Sequence, residues 1–195
     1  MKANITIMPG DGVGPEITRE AVKALQAIET SFGHDFTLEE VLFGGIAIDK
    51  TGSPYPEETQ RSCKSSDAVL LGAVGGPKWS DPNMKVRPEK EGLLAMRADL
   101  EIFANIRPIK TYPQLIENSP IKNRYLDNID MVFVRELTGG IYFGKKEKTE
   151  SSASDICEYS KTEIERITRV AANIAQDRRK KITSVDKANV MATSQ

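Results

Sequence analysis

The sequence predicts an α/β protein built on a sheet of parallel strands, and three observations carry that expectation. Ala3-Asn-Ile-Thr-Ile-Met8 is a short β-prone run that ends at the turn Pro9-Gly10, and a helix-like segment opens at Pro15. A second strand-like stretch at 37–43 precedes a helix-like segment at 56–66. The run Ala68-Val-Leu-Leu-Gly-Ala73 is apolar throughout, the composition of a strand covered on both faces. Strands that alternate with helices in this way assemble as parallel sheets.

The elements follow in order. In the first helix, Ile17, Ala21, Ala24, Leu25 and Ile28 recur at helical spacing and define an apolar stripe. From Val74 to Glu91 the chain is rich in Gly, Pro, Lys and Asp and has no period, and aperiodic connections of that length in compact domains are usually functional or disordered. Gly92 to Leu100 reads as a helix, Ile102 to Ile109 as an extended segment and Met131-Val-Phe-Val-Arg135 as another buried strand. Thr138 to Gly144 reads as a glycine-flanked hairpin or arm. Ser160-Lys-Thr-Glu163 has the spacing of a capping box, and Ile164, Ile167, Val170, Ala171 and Ile174 then form one stripe. The basic cluster Arg178 to Lys181 complements the negative end of that helix, a simpler reading than a nucleic-acid patch. Ile182 to Val185 is expected as a last short strand. No internal repeat is present.

Composition narrows the function classes. With 195 residues, 39% of them apolar, the chain can bury a real core. Its 27 Lys and Arg against 28 Asp and Glu give a net charge of -1, which supplies no global field for nucleic acid or anionic membrane. Cys63 and Cys157 stand far apart and the chain has a single His, so neither a zinc site nor a disulfide framework is indicated. The opening residues are too short an apolar run for a secretion signal, and no run is long enough to span a bilayer. A soluble protein of a reducing cytoplasm is the expectation.

Several residues have the chemistry of a site. The turn Pro9-Gly-Asp-Gly-Val-Gly-Pro-Glu16 follows a strand and precedes a helix, as a dinucleotide fingerprint would. Its glycines alternate at Gly10, Gly12 and Gly14, however, so the GxGxxG spacing of a Rossmann fold is absent. Arg97, Arg107 and Arg135 each lie at or beside the end of an apolar element. Three guanidinium forks would suit a substrate with two carboxylates, whereas any one arginine alone reads as a surface or ion-pair residue. Tyr142, within GGIYFG, and Lys187, directly after the expected last strand, are candidate proton donors or acceptors. Packing for the tyrosine and solvation for the lysine are the structural alternatives.

Taken together, MPGDGVGPEIT, FGGIAID, VLLGAVGGPKW, RPEKEGLLAMR, FANIRP, VRELTGGIYFG and VDKANV resemble the β-decarboxylating dehydrogenases of the isocitrate/isopropylmalate dehydrogenase family, most closely its isopropylmalate branch. The segments occur in the family's order from the first strand to the last residues. The resemblance implies that family's own two-domain α/β fold in place of a Rossmann domain. Residues 1–99 would belong to a cofactor-side domain and residues 100–195 to a domain for substrate and dimerisation. It implies NAD-dependent oxidative decarboxylation of 3-isopropylmalate to 2-oxoisocaproate, in leucine biosynthesis. Tartrate, malate, isocitrate or homoisocitrate would be the alternative substrates, and a non-catalytic dimerisation partner the alternative role.

Residue roles carried over by resemblance are these. Arg97, Arg107 and Arg135 would hold the malate carboxylates, Tyr142 would protonate the enolate left by decarboxylation, and Lys187 would assist removal of the C2 hydroxyl proton. Lys187 would act on the partner's active site in a homodimer, with Asn189 near the nicotinamide. Gly76 to Glu89, with Pro77, Lys78 and Trp79, would line part of the NAD site. Leu93 and Leu94 would face the substrate's branch, rejecting a third carboxylate, or else belong to a helix core. Mg2+ or Mn2+ would bind hard oxygen ligands. Those aspartates are expected beyond Gln195, with the adenosine loop, so the chain is expected to be an N-terminal portion that is not a competent dehydrogenase by itself. Lys90-Glu91 resembles an insertion and leaves open whether Glu89 or Glu91 faces the cofactor.

Overall fold

The computed structural model describes residues 1–81, 84–191 and 193. It divides into two compact units, Met1–Leu100 and Glu101–Gln195. The first contains a three-stranded parallel sheet in the order β2-β1-β3, formed by β1 (Lys2–Gly10), β2 (Asp35–Glu40) and β3 (Ala68–Ala73). Helix α1 (Gly14–Phe32) joins β1 to β2, and α2 (Gly45–Thr51) and α3 (Glu57–Ser65) lie between β2 and β3. Alternation along the strands divides the contacts. Thr6 and Met8 point to α3, meeting Ser62 at 2.7 Å and Cys63 at 3.8 Å. Gly72, on the other face, leaves room for Thr18 of α1.

The core of this unit is Met8, Val41, Phe43, Tyr55, Cys63 and Met96, with Val69, Leu71, Val74, Leu93 and Leu100 packed against it. Phe43 and Tyr55 meet edge to face, 5.7 Å between ring centroids. Tyr55 directs its hydroxyl to Asp99 at 3.1 Å, and Asp99 also pairs with Lys64 at 2.6 Å. Burial, with Cys63 and Asp99 alongside, pushes the Tyr55 hydroxyl above the ordinary phenol range, and burial likewise raises the Cys63 thiol.

Several expectations are corrected here. Helix α1 buries Gly14 and Thr18, while Ile17 and Ile28 of the expected stripe are 48% and 42% exposed. Only three residues separate Gly10 from the helix start, and that short turn fixes which side of α1 meets the sheet. Helix α2 was not anticipated, because seven residues are too few to show a period. The expected helix at 92–100 begins earlier, as a π-helix at Pro88–Leu94 that continues into α4 (Ala95–Asp99).

In the second unit, β4 (Ala104–Lys110) and β5 (Asp130–Glu136) pair antiparallel, so among the described residues parallel pairing holds only in the first unit. Residues of β5 alternate between half-buried and exposed, correcting the expectation of a strand covered on both faces. One face, with Glu136, lies against α5 (Lys161–Gln176). The expected hairpin shifts to β6 (Lys146–Lys148) and β7 (Ala153–Asp155), and Gly140–Tyr142 is a 3-10 turn. The capping box forms as expected: Ser160 accepts the Glu163 N–H, and the Glu163 side chain accepts the Ser160 N–H. Arg178 and Arg179 reach Asp130, through its carboxylate and its carbonyl respectively, and so tie the end of α5 to β5. Residues 182–185 are not a strand, because no strand among the described residues pairs with them. Among the described residues, no helix is long and apolar enough to cross a membrane.

Candidate functional site

Parallel sheets collect functional loops at the carboxyl ends of their strands, and the first unit does so around Asp11. Gly10 ends β1 and Ala73 ends β3, and the Asp11 N–H donates to the Ala73 carbonyl at 2.7 Å. The Asp11 side chain is buried, at 3% exposure. One oxygen accepts the N–H of Ile46 at 2.7 Å, and the other accepts those of Gly45 at 2.7 Å and Gly75 at 2.8 Å. One carboxylate thus joins the β1–α1 turn, the start of α2 and the loop after β3. A carboxylate offers acceptors only, so three convergent N–H groups match it.

Gly76, Pro77, Lys78 and Trp79 lie on that same loop, the last three as a 3-10 turn. Trp79 lies directly on Gly45, where a Cβ would stand 2.3 Å from the indole. Asp49 of α2 accepts from Lys78 Nζ at 2.6 Å and from Trp79 Nε1 at 3.3 Å. The Lys78 hydrogen bond, opposed by partial burial and aided by Trp79, holds the Asp49 carboxyl below its ordinary range. Beyond the turn, Trp79, Met84, Arg87 and Glu89 line an open cavity of ≈ 520 Å³. The expected segment from Gly76 to Glu89 includes Pro82 and Asn83, which lie outside the described residues.

The two glutamates make different contacts. Glu91 folds back onto its own helix start, accepting the Arg87 N–H at 2.8 Å. Burial raises its carboxyl, but the Arg87 N–H and Lys90 outweigh that and bring it below the usual range. Glu89 instead lies against Gly75, where a Cβ would stand 2.2 Å from its carboxylate oxygen. Leu93 packs on the core of the unit, Leu94 is half-buried one residue on, and Arg97 is half-buried on α4.

Arg107, Arg135, Tyr142, Lys187 and Asn189 belong to the second unit. The pairs Asn105↔Arg135 and Arg107↔Phe133 put both arginines on one face of the β4–β5 sheet, away from α5. The Arg135 guanidinium stands over the Tyr142 ring, 5.3 Å from its centroid. Arg107 Nε donates to Asn105. Tyr142 is 55% exposed. Its turn starts at Gly140, whose φ of 74° and contact with Tyr159 exclude any larger residue. Lys187 and Asn189 are exposed in one turn, closed by Val190 N–H to the Lys187 carbonyl at 3.0 Å.

Asp11, Asp49 and Tyr159 are participants that the sequence reasoning missed. An acidic residue inside a glycine-rich turn was the available signal for Asp11. Asp49 and Tyr159 left none, since Asp49 acts on Trp79, 30 positions on, and Tyr159 on Gly140, 19 positions back. For a metal ion, no three His, Cys, Asp or Glu side chains gather among the described residues.

The isocitrate/isopropylmalate dehydrogenase family model matches residues 4–195. A 3-isopropylmalate dehydrogenase of Bacillus caldotenax is 55% identical over 97% of this chain and 53% of its own length. One of Geobacillus kaustophilus is 54% identical over 97% and 52%. Among solved structures, an isocitrate dehydrogenase from Methylococcus capsulatus aligns with a TM-score of 0.79 at 27% identity, covering 98% of this chain and 53% of that one. A β-decarboxylating dehydrogenase from Thermococcus kodakarensis, in its apo form, aligns with a TM-score of 0.69 at 30% identity, covering 97% and 50%. The chain spans about half the length of the curated relatives it matches.

Proposed function

Because the chain belongs to the isocitrate/isopropylmalate dehydrogenase family, we propose that it serves the NAD-dependent oxidative decarboxylation of 3-isopropylmalate to 2-oxoisocaproate, in the cytoplasm, as part of a homodimer. The observation that carries the reading is the pairing of Arg135 with Tyr142 at 5.3 Å, which sets an anion-binding fork beside a phenol. In this reading Arg135 and Arg107, with Arg97, bind the two carboxylates and orient the malate. Lys187 takes the C2 hydroxyl proton, and Tyr142 delivers a proton to the enolate carbon after carbon dioxide leaves.

The loop at 75–79 and Glu89 would hold the dinucleotide. Gly75 fits that use, since its φ of 92° favours glycine and a side chain there would crowd Glu89. Bound NAD supplies the acceptor for the C2 hydride. Magnesium or manganese finds no ligand set among the described residues, so the reading assigns it none and routes no step through it. Leu94 is retained as the contact for the isopropyl branch, and Leu93 backs it from the core.

The test gives a full-length version of the protein a substrate panel of 3-isopropylmalate, isocitrate, malate and tartrate with NAD and magnesium, following NADH and carbon dioxide. Selective turnover of 3-isopropylmalate that falls at least about 100-fold in Tyr142→Phe supports the assignment. Arg135→Lys should chiefly raise KM, because a point charge replaces a fork. Equal turnover of isocitrate overturns the substrate, and binding of 3-isopropylmalate without turnover favours the non-catalytic role.

A further inference from the structure

Resting on the reading of the 75–79 loop as a dinucleotide crevice, we propose that Asp11 and Asp49 are positioning residues for that crevice. Asp11 fixes its floor and Asp49 fixes its Trp79 wall. Neither aspartate is asked to touch substrate or cofactor.

Helix α2 links the two aspartates. Asp11 holds the first two amides of that helix and the Gly75 amide together, all within 2.8 Å. These bonds set the distance between α2 and the loop after β3. Gly45, thus held, presents bare backbone on which the indole of Trp79 lies. One turn further along α2, Asp49 binds the indole N–H and the neighbouring Lys78. Lys78 also stands 5.4 Å from the indole centroid, so the cation and the ring are held as a pair. Trp79 is therefore fixed on one side by Gly45 and at its polar edge by Asp49. The cavity on which Trp79 borders takes its shape from that placement.

The surroundings of Asp11 are matched to its carboxylate. At Gly44, with φ of 82°, an added Cβ would stand 2.5 Å from the carboxylate oxygen, so glycine there leaves the acid its place. Asparagine would turn an NH2 donor towards amides that are themselves donors, leaving at least one N–H buried and unpaired.

Trp79 is the single tryptophan of the chain, so its emission reports on the crevice alone. The experiment compares the full chain with Asp11→Asn, Asp49→Asn and, as a control, Asp67→Asn. Asp67 accepts the Asn4 N–H at 2.8 Å at the opposite end of the sheet. In each protein, emission wavelength, acrylamide quenching, thermal stability and NADH affinity are measured.

Both site variants should shift Trp79 emission to the red and increase its quenching, and Asp11→Asn should weaken NADH binding about tenfold or more. Asp67→Asn should lower stability without moving Trp79. Unchanged emission in folded Asp11→Asn and Asp49→Asn overturns the proposal, as does a Trp79 response in Asp67→Asn of equal size. Should Asp11→Asn not fold, the exposed Asp49 variant decides. If the parent chain binds no NADH while Trp79 responds as expected, the clasp stands and the nucleotide reading falls.

Discussion

Glu136 has a side chain only 6% exposed, on the face of β5 that α5 covers, next in sequence to the outward-facing Arg135. Its two oxygens accept from Arg166 at 2.7 and 3.1 Å, and Thr138 adds its own N–H at 3.0 Å. Arg166 in turn stands 4.7 Å over the Phe103 ring, which keeps the pair in place. Burial raises the Glu136 carboxyl, but Arg166 and Thr138 outweigh it and hold the group below its ordinary value of 4.5. A depressed acid stabilises the fold fully above its unfolded value and loses that contribution as pH falls through the folded one. The second unit should therefore lose stability on the acid side of pH 4.5. Glu136→Gln should cost on the order of 1–3 kcal/mol at neutral pH, since Arg166 keeps a partly buried charge without a counter-charge. It should also flatten the acid limb, and thermal melts between pH 3 and 7 check both.

At the scale of elements, local chemistry was legible wherever a helix announced its own start. The α5 capping box closes through side chains three residues apart, so sequence alone located it. Ser160→Ala should remove one N–H partner and destabilise α5 by about 1 kcal/mol. Hydrogen exchange should show faster amides confined to the first turn at 161–164, whereas uniform acceleration across the helix would contradict it. Helix α1 gave the opposite lesson. Of its expected stripe, Ile17, Ala24 and Ile28 stand exposed, and the helix buries Gly14 and Thr18 instead. The π-helix at Pro88–Leu94 left no periodic signal, and it sends Glu91 back to the Arg87 N–H while Glu89 lies against Gly75.

At the scale of the whole molecule, the outer β4–β5 face stands open within the second unit. Much of that surface is apolar: Ile109, Met131 and Phe133 on the outer β4–β5 face are 41%, 42% and 51% exposed. A surface of that kind seeks cover. Purified alone, the chain should associate with rising concentration in light scattering and bind a hydrophobic dye, and a dye-silent monomer at all concentrations would argue against this. The amino-acid sequence by itself determined the parallel α/β order of the first unit, the failure of the GxGxxG spacing, the α5 start and the motif resemblance. Each of these depends on residues within a few positions of one another, or on the identity of a local motif. Only the tertiary structure decided that Asp11 joins three segments, that Asp49 holds Trp79 and that Arg135 stands over Tyr142. It also showed that 182–185 has no strand partner among the described residues. These outcomes depend on which distant backbone arrives beside a side chain, and a linear pattern carries no record of that meeting.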